Sequence, residues 1–173
     1  MRPYVFVAGA LLLASSGRVT AADAQPKPTT TTVRGGWVGV LPCVPLPGTT
    51  LTGTRLHLRC VSGTAWDGAW SGQTSYVVTA DTDLVTGNTK GTIDETLTGI
   101  DTATQRPGTL HLNGSLQVDG ATNTIQVEES IIDGTGAFSH LSGHATFEGV
   151  QVSGAAGHGG YHAEIRAGGM PKS

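Results

Sequence analysis

The chain is short of most features that announce a function. Charged residues make up 13% of it and aromatic residues 5%, and lysine and arginine never cluster. With a formal net charge of -3 and no basic patch, nothing neutralises a phosphate backbone, which excludes nucleic acid as a partner. Beyond the N-terminus no segment approaches the near-twenty apolar residues that a membrane-spanning helix needs. Segments of helical period are also missing, so helices cannot carry the fold. There is no nucleophile elbow, phosphate-binding loop or Cys/His pair suited to catalysis, and no motif implies a cofactor.

Histidine is present six times, yet its spacing offers no metal site. His140 and His144 stand four apart, as do His158 and His162. Gly143 and Gly159-Gly160 break any helix that could align them. His57, His111 and His162 fall on the polar parity of their strands.

Cysteine occurs twice, at Cys43 and Cys60. In an exported chain the two meet an oxidising compartment and are expected to pair, contributing roughly 3 kcal/mol. Buried free thiols are the alternative. Export is expected from Arg2, an apolar run over residues 4–14 and the A-x-A pattern Ala22-Asp23-Ala24. That is the layout of a signal peptide, with an apolar stretch too short to span a bilayer. Cleavage near Ala24 would remove Arg2, Arg18 and Asp23, giving a secreted or periplasmic protein.

What is abundant is glycine, 26 residues, together with threonine, a composition that suits short strands joined by tight turns. Residues 25–32 read as a polar, proline-containing leader, disordered or extended. The remainder is one domain's worth. A first strand is expected over residues 33–40. Residues 41–54, with three prolines, are expected as a loop tied down by Cys43. Trp66, Trp70, Tyr76 and Val78 share one parity, in a long strand or a bulged pair. Ile93, Glu95 and Leu97 face one way in the next strand, and Leu110, Leu112, Gly114 and Leu116 in the one after. A tight DGATN turn leads into Ile125, Val127, Glu129 and Ile131, and residues 144–152 and 160–166 add two more strands. Alternation with one wet face indicates an antiparallel sheet of about eight strands. A sheet of that size must curl or close, so an up-and-down barrel is expected first and a two-sheet sandwich second.

Residues 131–149, IIDGTGAFSHLSGHATFEG, followed by GGYHAEI, resemble the late-barrel pattern of the allene oxide cyclase-like barrels. That group includes plant allene oxide cyclases, dirigent proteins and bacterial families without assigned function. GTIDETLTG and GTLHLNGSLQVDGAT resemble the bacterial members. The shared parts are a G-T-G-x-F corner, a plug turn near residues 137–142 ended by Gly143, and a closing G-G-Y strand. The resemblance covers about residues 66–166; residues 66–167 would form the barrel proper, with residues 33–65 an N-terminal strand and disulfide-tied loop of the same domain and residues 168–173 a flexible tail. It implies a closed eight-stranded barrel with a central cavity, often assembled into dimers or trimers. No catalytic motif of those families can be placed on this chain, so none is carried over.

Register singles out two carboxylates. In the hairpin of the DGATN turn, Glu129 should face Gly114. If the preceding hairpin is centred between residues 104 and 105, Glu95 faces Gly114 as well, forming one inward row. Inward carboxylates in an apolar barrel have raised pKa values, and two together could act as acid and base. Glu95 and Glu129 are therefore the catalytic candidates. Trp70, Tyr76, Gly114, Phe147 and Tyr161 complete the expected ligand cavity, and Phe138 and Leu141 are expected to cap one end. Three readings stay open: a barrel binding a small apolar ligand, a cofactor-free isomerase or cyclase using the barrel as template, and an interaction module with a filled core.

Overall fold

The computed structural model describes residues 29–153 and 156–168. The expected signal peptide, residues 25–28 of the leader and the tail after Gly168 lie outside them. Nine strands follow in order: β1 (Thr30–Pro45), β2 (Thr50–Thr52), β3 (Arg55–Gly68), β4 (Trp70–Asp83), β5 (Thr89–Asp101), β6 (Arg106–Asp119), β7 (Thr124–Gly134), β8 (Leu141–Ser153) and β9 (Ala156–Ala167). A single 3-10 turn, Gly136–Phe138, lies between β7 and β8. From β3 to β9 each strand pairs antiparallel with the next, and β1 closes the ring by pairing with both β9 and β3. The result is a closed, eight-stranded, up-and-down antiparallel barrel, with β2 added beside β3.

The N-terminal third departs from expectation. β1 starts at Thr30, so Thr30–Thr32, expected in the leader, pair with Glu164–Arg166 of β9. The strand then runs on through Pro42 and Pro45, where a loop was expected. Proline is tolerated there because β1 pairs with β9 only as far as Val38. Beyond that point it is held by β3 alone, with register shifts at 39/41 and 41/44. Cys43 bonds to Cys60 across this half-supported stretch, at a Cα–Cα distance of 5.5 Å. β1 and β3 are thus full staves of the barrel, not an appendage to it.

Trp66 and Trp70 also belong to two strands, not to one long strand. The chain reverses at Gly68-Ala69, where the Thr102 hydroxyl donates to Gly68 O (2.8 Å) and Ala69 O (3.0 Å). Ala69 N–H donates to Arg34 O. Both tryptophans keep the inward parity, since the reversal returns the same face to the interior.

The barrel is filled solid at one end. Phe138, on the 3-10 turn, is fully buried and meets Trp70 edge-on at 5.8 Å. Gly136 holds the turn in place: its φ is +58°, and a Cβ there would lie 2.2 Å from Pro107 O. The turn finishes at His140 and not at Gly143, which is already the third residue of β8. Leu141 is only half buried against the core. Above Phe138, Trp70 stacks with Tyr161 (6.1 Å) and with Trp66 (6.4 Å), and Phe147 tilts onto Trp66 (4.9 Å). Ring pairs in these geometries add to the effect of burial alone.

Candidate functional site

The other end of the barrel is not filled. A cavity of about 370 Å³ opens beside the β4–β5 turn, the end of β6 and the adjoining parts of β8 and β9, near Gly87, Val118, Gln151 and Gly157. Its walls are mainly apolar, with Leu58, Val78, Ile93, Leu116, Ile125 and Val127 typical of them. Trp66 and Phe147 form the partition between this cavity and the aromatic cluster below. At the inner end stand the polar residues Ser62, Thr64, Tyr76 and Glu95.

Strand pairing brings those four together. Tyr76 lies directly opposite Glu95 on β4 and β5, and Ser62 directly opposite Tyr76 on β3 and β4. Thr64 Oγ1 contacts Thr74 Oγ1 at 2.7 Å and donates to Glu95 Oε1 at 3.5 Å, while Trp66 Nε1–H donates to Thr64 Oγ1 at 3.0 Å. The Ser62 hydroxyl donates to Leu41 O on β1 at 2.7 Å.

Glu95 does not face Gly114. Its partner on β6 is Leu112, and Gly114 pairs with Ile93 on one side and Glu129 on the other. The hairpin between β5 and β6 closes one residue earlier than expected, with Asp101 opposite Arg106. Asp101 organises that turn: it accepts from Ala103 N–H and the Thr104 hydroxyl, and its carbonyl accepts from Gln105 N–H. The Gly114–Glu129 pairing is as the tight hairpin predicts. Glu95 and Glu129 are therefore offset by two positions on either side of β6, with side-chain-free Gly114 between them. Gly114 is also a point of close approach, since a Cβ there would lie 1.9 Å from Glu128 O and 2.7 Å from Glu129 Cα.

Both carboxyls are deeply buried, Glu95 at 4% exposure and Glu129 at 2%. Burial raises Glu95 from its ordinary 4.5 to about 7, with the Thr74, Glu129 and Thr64 hydrogen bonds pulling against it. Glu129 rises to about 9, through burial first and then the charge and hydrogen bond of Glu95, with Asp94 adding to it. The two environments differ in kind. Hydroxyls serve Glu95, whereas no hydroxyl or backbone group bonds to either buried Glu129 oxygen, and Glu95 is the neighbour that acts on it most. A proton shared by the pair therefore resides on Glu129 and leaves Glu95 the readier to ionise. Tyr76 is also raised, by burial first and then by the charge of Glu95, against a hydrogen bond with Ser62.

The expected cavity residues divide into three groups. Tyr76, Glu95 and Phe147 line the cavity. Trp70 and Tyr161 lie in the aromatic cluster beneath it, and Gly114 and Glu129, paired on β6 and β7, do not line it. Ser62, Thr64 and Trp37 line it without having been singled out from the sequence. Ser62 and Thr64 share the inward parity of Cys60 and Trp66 along β3, and that alternation is the sequence signal that places them. Among the described residues no group of three or more His, Cys, Asp or Glu side chains is placed to hold a metal, and no helix is long and apolar enough to cross a membrane.

No family model matches the sequence, and no curated protein matches it. Solved structures do match in shape. A DUF3224-family protein of unknown function from Shewanella oneidensis MR-1 superposes with a TM-score of 0.61 at 14% identity, covering 82% of this chain and all of that one. A pterocarpan synthase dirigent protein superposes with a TM-score of 0.56 at 15% identity, covering 86% of this chain and 91% of that one. At such identities the likeness establishes a shared barrel fold and nothing about activity.

Proposed function

We propose that this chain is an exported barrel that binds a small apolar ligand in its interior. The observation that carries the reading is the open cavity of about 370 Å³, with mainly apolar walls, polar groups at its inner end, and Thr82, Thr89 and Gln151 near its mouth. A volume in that range suits one small organic molecule, held by burial and oriented by a few polar groups. A core filled throughout, as an interaction module would have, does not describe this end of the barrel. The Cys43–Cys60 disulfide fits an oxidising compartment, in keeping with the signal-peptide pattern at residues 1–24. The dirigent protein of matching fold and the allene oxide cyclase-like motifs at residues 131–149 agree with a barrel used as a container. Native mass spectrometry of protein recovered from the exported fraction tests the reading. The expected spectrum shows one apolar molecule per chain, removed by organic extraction and restored by adding it back. An unliganded mass that stays unchanged when apolar compounds are added overturns it.

A further inference from the structure

The inner end of the cavity holds more than a binding pocket requires. A purely hydrophobic container has no use for a buried carboxyl pair, which costs stability to keep out of water. Here one member, Glu95, lines the cavity, and the other, Glu129 on β7, is buried opposite Gly114, off the lining. Tyr76 lies beside Glu95 on the neighbouring strand and lines the same cavity. From this arrangement, and resting on the binding reading above, we propose that the site is a cofactor-free proton-transfer site acting on an apolar ketone, with Glu95 as general base and acid and Tyr76 as hydrogen-bond donor to the carbonyl oxygen.

The step balances without any co-reactant. The Glu95 carboxylate takes a proton from the carbon next to the carbonyl. The C–H electron pair becomes the new C=C bond, and the carbonyl π pair moves onto oxygen, which accepts a hydrogen bond from the Tyr76 hydroxyl. Glu95 then returns the proton to carbon. Return to the same carbon, once the Glu95 carboxyl proton has been replaced by one from water, gives exchange with solvent hydrogen; return two carbons further along an unsaturated chain gives the isomer.

The neighbours of Glu95 set its protonation. Thr64 on β3 and Thr74 on β4 supply hydroxyls to it, and Tyr76 faces it from β4. Glu129 on β7 acts on it by hydrogen bonding, and Asp94 on β5 acts on Glu129 by charge. From β6 and β8 come Leu112, Gly114, Ala145 and Phe147, none of which titrates. Glu129 does not line the cavity, so its role is to position and tune Glu95. A general base is most effective when its pKa lies near the working pH, and the surroundings of Glu95 bring it to about 7.

The experiment uses 2-undecanone with the oxidised, exported protein. Binding is followed by native mass spectrometry, and deuterium uptake at the carbons flanking the carbonyl is followed by mass spectrometry in D2O. Binding with exchange well above the buffer rate, rising to a plateau through an apparent pKa of about 7, is the expected result. Glu95→Gln should bind the ketone and lose exchange by about 10²–10⁴-fold. Tyr76→Phe should lower the rate at saturation more than the affinity. Glu129→Leu should move the pH profile upward by removing the donor to Glu95, while Glu129→Gln, which keeps one, should leave it in place. A wild-type protein that binds the ketone with exchange no faster than buffer overturns the proposal and leaves the binding reading standing. So does exchange that persists in Glu95→Gln. Failure to bind any apolar compound overturns both.

Discussion

The Tyr161 hydroxyl on β9 sits between the backbone N–H and C=O of Trp70 at the start of β4, accepting from the first at 2.9 Å and donating to the second at 3.0 Å. One side chain thereby satisfies both backbone groups of a strand terminus 91 residues away in sequence. This pins the β3–β4 corner to β9 at the closed end of the barrel. Tyr161→Phe keeps the ring contacts and leaves the Trp70 N–H and C=O buried without this partner. The expected cost is about 1–3 kcal/mol, measured as a lower urea midpoint with an unchanged slope. An unchanged midpoint would show that water replaces the hydroxyl without loss.

Gly114 should be intolerant of any side chain. A Cβ would enter the space of Glu128 O and Glu129 Cα, so β6 and β7 must separate to admit it. Gly114→Ala is expected to destabilise the barrel by about 1–3 kcal/mol. Because the pairing at Glu129 moves with the strand, the pH dependence described next should change as well. Thermal unfolding of the variant at two pH values measures both effects.

The carboxyl pair links stability to pH in a definite direction. Glu95 and Glu129 titrate in the folded protein at about 7 and about 9, both above the ordinary 4.5. The folded protein thus retains protons that the unfolded chain releases. Their contribution is complete below about pH 4.5 and is lost as pH rises, through about 7 for Glu95 and about 9 for Glu129. Glu129→Gln should therefore flatten the decline on the alkaline side and be the more stable protein at pH 9. Urea denaturation across pH 5–9 checks this; a wild type that gains stability with pH over that range contradicts it.

The disulfide supports the half of β1 that has only one neighbour. Cys60 is fully buried and Cys43 lies at the cavity, 17 positions apart in sequence. Reduction should cost about 3 kcal/mol and loosen the cavity mouth before the closed end. Hydrogen exchange with and without reductant separates the two ends. Equal loss of protection in β1 and at the Phe138 turn would contradict this ordering.

The barrel was legible in the sequence because period-two alternation survives in every strand from β4 to β9. The Gly114–Glu129 pairing was legible too, since the DGATN turn admits only a tight hairpin. Glu95 was placed two residues off because the position of the preceding turn depends on Asp101, whose side chain folds back on Ala103 and Thr104. Counting residues between strands cannot reveal that contact. The course of β1 was hidden for another reason. Pro42 and Pro45 argue against a strand paired on both sides, and only the tertiary arrangement shows that this stretch lacks its second partner. Cavity and plug were equally hard to separate. Trp70 and Phe147 share the inward parity, and which layer each occupies depends on the 3-10 turn that drives Phe138 into one end.

The central claim is that the open end of this barrel receives an apolar molecule. Titration with the uncharged fluorophore N-phenyl-1-naphthylamine tests it most directly, comparing the wild type with Leu116→Trp, which places a larger ring on the cavity wall. Saturable binding of one fluorophore per chain by the wild type, and its loss in a variant that still folds, is the predicted result. No saturable binding, or equal binding by both proteins, would contradict the account.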